Sequence, residues 1–273
     1  MRAVNALYNT APKDGTAIAY DVRGQGPPLV VANGALSVRT FSFSQKFADA
    51  VAVGYTVYNY DRRGRGDSED RQPYSVQREV EDLAAVCQAA GGRPFVFGQS
   101  SGAALALEAA AAGVPMAGLV AYEPPYTKAD PNGKTDPDFQ KNLDRFAAAG
   151  QRDEAVTYFM RTVGVPGFGI AVMRLFPMWK TMRGVAHTLP YDARVMDGFA
   201  VPEERFARIR CPTVLAAGAK TTPTLKLAAQ AVAKAVPGAT YQEVPKSNHG
   251  IKGQAILPVL DAAFKSKGPK AAN

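Results

Sequence analysis

Three residues carry the chemical potential of this sequence: Ser100 and the two histidines, His187 and His249. Ser100 stands in Gly98-Gln99-Ser100-Ser101-Gly102, with a glycine two positions to either side. A serine hydroxyl is a weak nucleophile at neutral pH and needs a base to remove its proton. Histidine suits that task because it ordinarily titrates at about 6.5. His249 lies in Lys246-Ser247-Asn248-His249-Gly250, a loop pattern between the last strand pattern and the last helix pattern. His187 sits among Ala186, Thr188 and Leu189 within a helical stretch. Loop position favours His249 as the base, and leaves His187 as the alternative base or as a packed or pocket-lining residue. The chemistry of such a pair is nucleophilic attack by Ser100 on a carbonyl.

The elements around Ser100 must present it. Residues 95–97 are an apolar β-type run, and residues 103–112 are alanine-rich helix formers. The sequence therefore predicts strand, sharp turn and helix with Ser100 at the apex. Such a turn strains a non-glycine residue and leaves no room for side chains where strand and helix meet, which Gly98 and Gly102 satisfy. It also places Ser100 at a helix N-terminus, where free amides and the helix dipole favour an oxyanion. A tight structural turn is the alternative.

The remaining chain alternates strand and helix patterns. Strands are expected at 6–10 and 17–22, joined by Lys13-Asp14-Gly15, and at 29–32, 55–60, 117–122, 213–217 and 241–244. Helices are expected near 41–51, 75–90, 224–236 and 254–264. The loop Asn33-Gly34-Ala35-Leu36 follows one strand, and its glycine lets the backbone approach a ligand. The loop Asp61-Arg62-Arg63-Gly64-Arg65-Gly66-Asp67-Ser68 lacks a phosphate-loop ending, so it is read as structural, ordered by Asp61 and its arginines. Glu123 precedes Pro124, which should hold it extended at the carboxyl end of its strand, the edge where doubly wound sheets bind ligands. From 128 to 205 the alternation gives way to helices. This stretch holds the single tryptophan, Trp179, and five of the seven methionines. Adaptable methionine with aromatic residues suits an irregular apolar ligand, and equally suits the core of a small helical lid.

Composition narrows the classes. The 273 residues are 47% hydrophobic, enough for one large α/β domain with a buried core. The formal charge of +8 comes from scattered lysines and arginines, with a basic tail at 265–270, so nucleic-acid binding is not expected. Neither a signal-like core near the start nor an apolar run of membrane length stands out, and a cytoplasmic protein is expected, as monomer or homodimer. Cys87 and Cys211 have no metal-ligand spacing and read as free thiols, and neither metal nor cofactor is called for.

The serine elbow, the Asn33-Gly34 loop and the late His249-Gly250, in this order of elements, resemble the α/β-hydrolase superfamily across essentially the whole chain. The resemblance implies a mostly parallel eight-stranded sheet flanked by helices. A helical cap (127–205) would then interrupt a core made of 1–126 and 206–273. In most of the superfamily the triad's acid follows the strand that here is 213–217. Yet no Asp or Glu occurs between Cys211 and Gln242. The superfamily's alternative places the acid one strand earlier, where Glu123 stands; Asp192 and Asp197 are the other candidates. The Ser-Ser-Gly elbow, a Glu before Pro, and Pro177-Met178-Trp179 are similar to the zearalenone-lactonase-like hydrolases. That likeness implies Trp179 at the substrate, with Met178, Leu36, Tyr126 and His187 as further expected substrate-lining residues. Asn33, where that group tends to have Asp, and the second proline after Glu123 depart from it. The implied activity is hydrolysis of an ester or lactone, with the amide of Ser101 and that of Gly34 or Ala35 holding the oxyanion. A lyase or carbon–carbon hydrolase on the same scaffold, and a receptor without turnover, are the rival readings.

Overall fold

A computed structural model describes residues 8–10, 12–133 and 135–264. The start of the first expected strand and the basic tail lie outside the described residues. Among the described residues, eight strands form one sheet in the order β1-β2-β4-β3-β5-β6-β7-β8. They are β1 (Tyr8–Thr10), β2 (Ile18–Arg23), β3 (Pro28–Ala32), β4 (Thr56–Tyr60), β5 (Phe95–Gln99), β6 (Gly118–Tyr122), β7 (Thr213–Gly218) and β8 (Thr240–Val244). β1 runs antiparallel to β2 and β2 to β4, while all later pairings are parallel. The central strands β3, β5 and β6 are almost continuously apolar because parallel strands are covered on both faces.

Helices cover the two faces. On one, α1 (Ser42–Val51) and α11 (Gly253–Phe264) bury Phe47, Val51, Leu260 and Phe264 against Leu29, Val31 and Phe97. Phe47 stacks on Phe97 at 4.9 Å, and Phe95 on Phe264 at 4.1 Å. On the other lie α2 (Val76–Ala89), α3 (Ser101–Ala111) and α10 (Pro223–Ala235). Ser75 caps α2 by accepting from the amide of Arg78, and Thr222 caps α10 from that of Leu225. α3 is buried on nearly every side, which explains its run of alanines: small side chains let the sheet and the neighbouring helices approach it together.

Between β6 and β7 the chain forms α4 (Phe139–Ala148), α5 (Arg152–Thr162), α6 (Gly167–Met173), α7 (Pro177–Gly184), α8 (Leu189–Val195) and α9 (Glu203–Phe206). α8 docks on α2 and α3, where Tyr191 stacks on Tyr74 at 3.8 Å. Among the described residues no helix is long and apolar enough to cross a membrane.

Candidate active site

The turn between β5 and α3 has the geometry its glycines imply. Ser100 sits at φ 56°, ψ −127°, a conformation that costs a residue with a side chain about 1–3 kcal/mol. Its amide donates to Tyr122 O at 2.9 Å, and its carbonyl accepts from Ala103 and Ala104, so ladder and helix hold the strained residue from both sides. A methyl group on Gly102 would lie 2.2 Å from Ala32 O, and one on Gly98 would lie 2.6 Å from Ala103 Cα. Those approaches explain the spacing: only glycine lets α3 close onto β5 and onto the end of β3.

The loop after β3 runs beside Ser100. A Cβ on Gly34 would stand 3.1 Å from Ser100 Cβ and 3.7 Å from its Oγ. The amides of Gly34, Ala35 and Ser101 donate to no other group among the described residues. Leu36, buried in the same loop, adopts φ 58°.

Across the sheet's carboxyl edge, Glu123 Oε2 lies 2.6 Å from His249 Nδ1. The carboxylate is fully buried and the imidazole is 47% exposed. Glu123 Oε1 accepts from the amide of Gly218 at 2.8 Å, and Oε2 also accepts from Thr221 Oγ1 at 3.1 Å. The end of β7, where no acid stands, thus supplies two donors that fix the acid from β6. The proline-based expectation of an extended Glu123 is corrected: its φ is 49°. The residue continues the ladder through its amide to Ala216 O, then turns left-handed, and this aims its side chain across β7 at His249. The His249 loop is held in turn. Tyr122 Oη donates to Asn248 O at 2.6 Å, and Gln99 Nε2 donates to His249 O at 2.7 Å. Ser100 Oγ and the His249 ring are not hydrogen-bonded in this structure; catalytic hydrogen bonds are often long in the absence of substrate and tighten when it binds.

The other candidates have different employment. Asp192 is fully buried against Arg62 and Arg65 and does not meet His249. Burial pushes its carboxyl up, but those guanidiniums outweigh it and hold it below the ordinary carboxylate range. Asp197 pairs with Arg205. His187 Nε2 lies 3.5 Å from Asp70 Oδ2, and its Nδ1 is buried with no hydrogen-bond partner among the described residues. Tyr126, also expected at the substrate, is fully buried and packs edge-on to Phe206. Trp179 is 5% exposed and donates its indole N–H to Asp153 at 2.8 Å, within the helical insertion; Met178 beside it is 38% exposed. Sequence reasoning missed Gly218, Thr221, Gln99 and Tyr122, because each acts through a partner distant in the chain.

The model of the alpha/beta hydrolase family matches residues 29–263. The chain belongs to the alpha/beta hydrolase family. This alpha/beta hydrolase is similar to an alpha/beta hydrolase from Sphaerobacter thermophilus, with 46% identity, 94% of this chain and 100% of that one covered, and a TM-score of 0.87. It shares the fold of an esterase from Rhodococcus sp. ECU1013 at 19% identity, 96% and 99% coverage and a TM-score of 0.65. It shares it also with the enol-lactonase from Burkholderia xenovorans, at 18% identity, 95% and 97% coverage and a TM-score of 0.64. No curated protein matches the chain.

Proposed function

We propose that this alpha/beta hydrolase cleaves a carboxylic ester or lactone of a bulky apolar small molecule, using Ser100 as nucleophile, His249 as base and Glu123 as the acid that orients it. The observation that carries this reading is the 2.6 Å contact between His249 Nδ1 and a fully buried carboxylate, at the same sheet edge as a strained serine. Glu123 accepts a hydrogen bond from Nδ1–H, which keeps the proton on Nδ1 and leaves Nε2 as the nitrogen free to take a proton from Ser100. The alkoxide attacks the carbonyl, and the Ser101 amide with one from the Gly34-Ala35 loop stabilises the resulting oxyanion. His249 then returns the proton to the leaving alcohol. Water, deprotonated by the same nitrogen, releases the acid from the acyl-enzyme.

The esterase and enol-lactonase among its structural neighbours agree with ester and lactone chemistry. An acid after the sixth strand fits the zearalenone-lactonase-like arrangement, and Leu36, Met178, Trp179 and His187 remain the proposed substrate-facing residues of that reading. A panel of aryl esters and lactones of increasing bulk tests it, with wild type and Ser100→Ala side by side. Turnover that favours bulky apolar acyl groups and vanishes in the variant supports the proposal. Turnover that persists in Ser100→Ala, or none on any member of the panel, overturns it.

A further inference from the structure

Arg62 and Arg65 follow β4 and are each 1% exposed, in a loop the sequence reads as merely self-ordered. Both reach into the helical insertion. Asp192 on α8 accepts from Arg62 Nη1 through Oδ1 at 2.8 Å and from Arg65 Nη2 through Oδ2 at 2.7 Å. The same Oδ1 accepts from Ser101 Oγ at 2.7 Å. The arginines then turn toward the loop after β3. Arg65 Nη1 donates to the carbonyl of Gly34 at 2.8 Å, and Arg62 Nη1 lies 3.4 Å from that of Asn33.

Those contacts bear on two amides. Ser101 supplies one expected oxyanion donor, and its side chain is held by Asp192. The Gly34 carbonyl and the Ala35 amide belong to one planar trans peptide and point in opposite directions. Fixing that carbonyl to Arg65 therefore fixes the direction of the Ala35 N–H. The Asn33 carbonyl and the Gly34 amide are joined in the same way, so Arg62 at 3.4 Å bears on the Gly34 N–H too; the more firmly aimed of the two loop amides is Ala35, through the 2.8 Å bond from Arg65. Stability is a poor explanation for the cluster. Arg62 is paired with Glu79 as well as Asp192, so four charged groups are buried together, and apolar replacements of such clusters are often neutral or stabilising. What two guanidinium forks sharing one carboxylate do supply is fixed geometry.

We propose that Asp192 is a positioning residue: through Arg65, Arg62 and Ser101 it holds both donors of the oxyanion hole, the amides of Ala35 and Ser101. Formation of the hole thereby depends on α8 being docked against the sheet domain. The proposal rests on the serine-hydrolase reading above.

The test uses Asp192→Asn, which keeps size and loses charge, together with Arg65→Lys and Ser101→Ala. Four quantities are measured on the folded full-length proteins: the rate constant for phosphonylation of Ser100 by a fluorophosphonate, the inhibition constant of an arylboronic acid, and kcat and KM for an aryl ester. An arylboronic acid forms a tetrahedral anion on serine and so reports on the hole directly. In Asp192→Asn the phosphonylation rate is expected to fall about 10-fold or more, the boronate constant to rise by a similar factor, and the ester loss to fall on kcat with KM within about twofold. Ser101→Ala moves the same way by less. Unchanged phosphonylation and boronate affinity in the folded variants, or a loss confined to KM, overturns the proposal. Should Asp192→Asn fail to fold, Arg65→Lys and Ser101→Ala decide by the same criterion. A wild type that is not phosphonylated at Ser100 sinks the hydrolase reading and this proposal with it, whereas a labelled wild type equalled by its variants sinks this proposal alone.

Discussion

Replacing Glu123 by glutamine exchanges one carboxylate oxygen for an NH2 group and, by hydrogen-bond accounting, inverts the histidine. Glu123 Oε1 faces the amide of Gly218 at 2.8 Å, a donor that tolerates only an acceptor opposite it. In Glu123→Gln the side-chain amide oxygen must therefore take the Oε1 place, which puts the NH2 where Oε2 meets His249 Nδ1 at 2.6 Å. Thr221 Oγ1 can rotate to accept, so it does not oppose this arrangement. Facing a donor, Nδ1 must become an acceptor, and the ring proton moves to Nε2. That tautomer cannot deprotonate Ser100. An acid-to-amide change of this kind in a serine triad costs roughly 10⁴ in kcat, or about 5.4 kcal/mol of transition-state stabilisation. The assay is kcat and KM on the best ester of the panel, with thermal unfolding to show that the fold survives. A loss of about three to four orders of magnitude in kcat with an intact fold is expected. Turnover within tenfold of wild type refutes the tautomer argument and the role of Glu123 together.

Gly102→Ala would set a methyl group 2.2 Å from Ala32 O and 2.6 Å from Asn33 O; these are backbone atoms that cannot swing aside. The overpacking should cost about 3 kcal/mol, lowering Tm by roughly 6–12 °C, which differential scanning calorimetry would read. Burial pushes the Cys87 thiol up to about 12, so native protein at pH 8 should resist iodoacetamide at Cys87, with peptide mapping showing modification only after unfolding. Burial works to raise the Asp14 carboxyl, but its hydrogen bonds from Thr16 and the Arg63 guanidinium outweigh it and hold it well below the carboxylate range. A depressed folded-state pKa stabilises above the unfolded value and loses that contribution as pH falls through the folded one. The Tm gap between wild type and Asp14→Asn should therefore be full at pH 6 and close as the pH is lowered from about 4 toward 2.

What the sequence makes legible here is local. The Ser100 elbow is readable because glycine spacing, an apolar run and an alanine-rich helix all describe one turn, and the turn forms as described. Glu123 is readable as a candidate because an absence is visible in a sequence: no Asp or Glu stands between Cys211 and Gln242, which takes in β7 and the loop after it. Its conformation is not. The preference of a residue before proline is weaker than the demand of Gly218, Thr221 and His249 on its side chain. Trp179 and Tyr126 show the other limit. Composition marks the segment after β6 as rich in methionine and aromatics but does not say which rings face a ligand, and Tyr126 lies in the core beside Phe206. The loop after β4 is structural around Asp61, as its residues suggest, and Asp61 accepts from the amides of Arg39 and Asp67. That its arginines reach Asp192, far along the chain, is set by how α8 docks, and no local pattern encodes it.

The relay of Ser100, His249 and Glu123 is tested most directly by fluorophosphonate labelling read by intact mass and peptide mapping, across wild type, His249→Ala and His187→Ala. One adduct on Ser100 is expected in wild type and in His187→Ala, with labelling of His249→Ala slower by orders of magnitude. Labelling that is indifferent to His249, or that depends on His187 instead, contradicts the account.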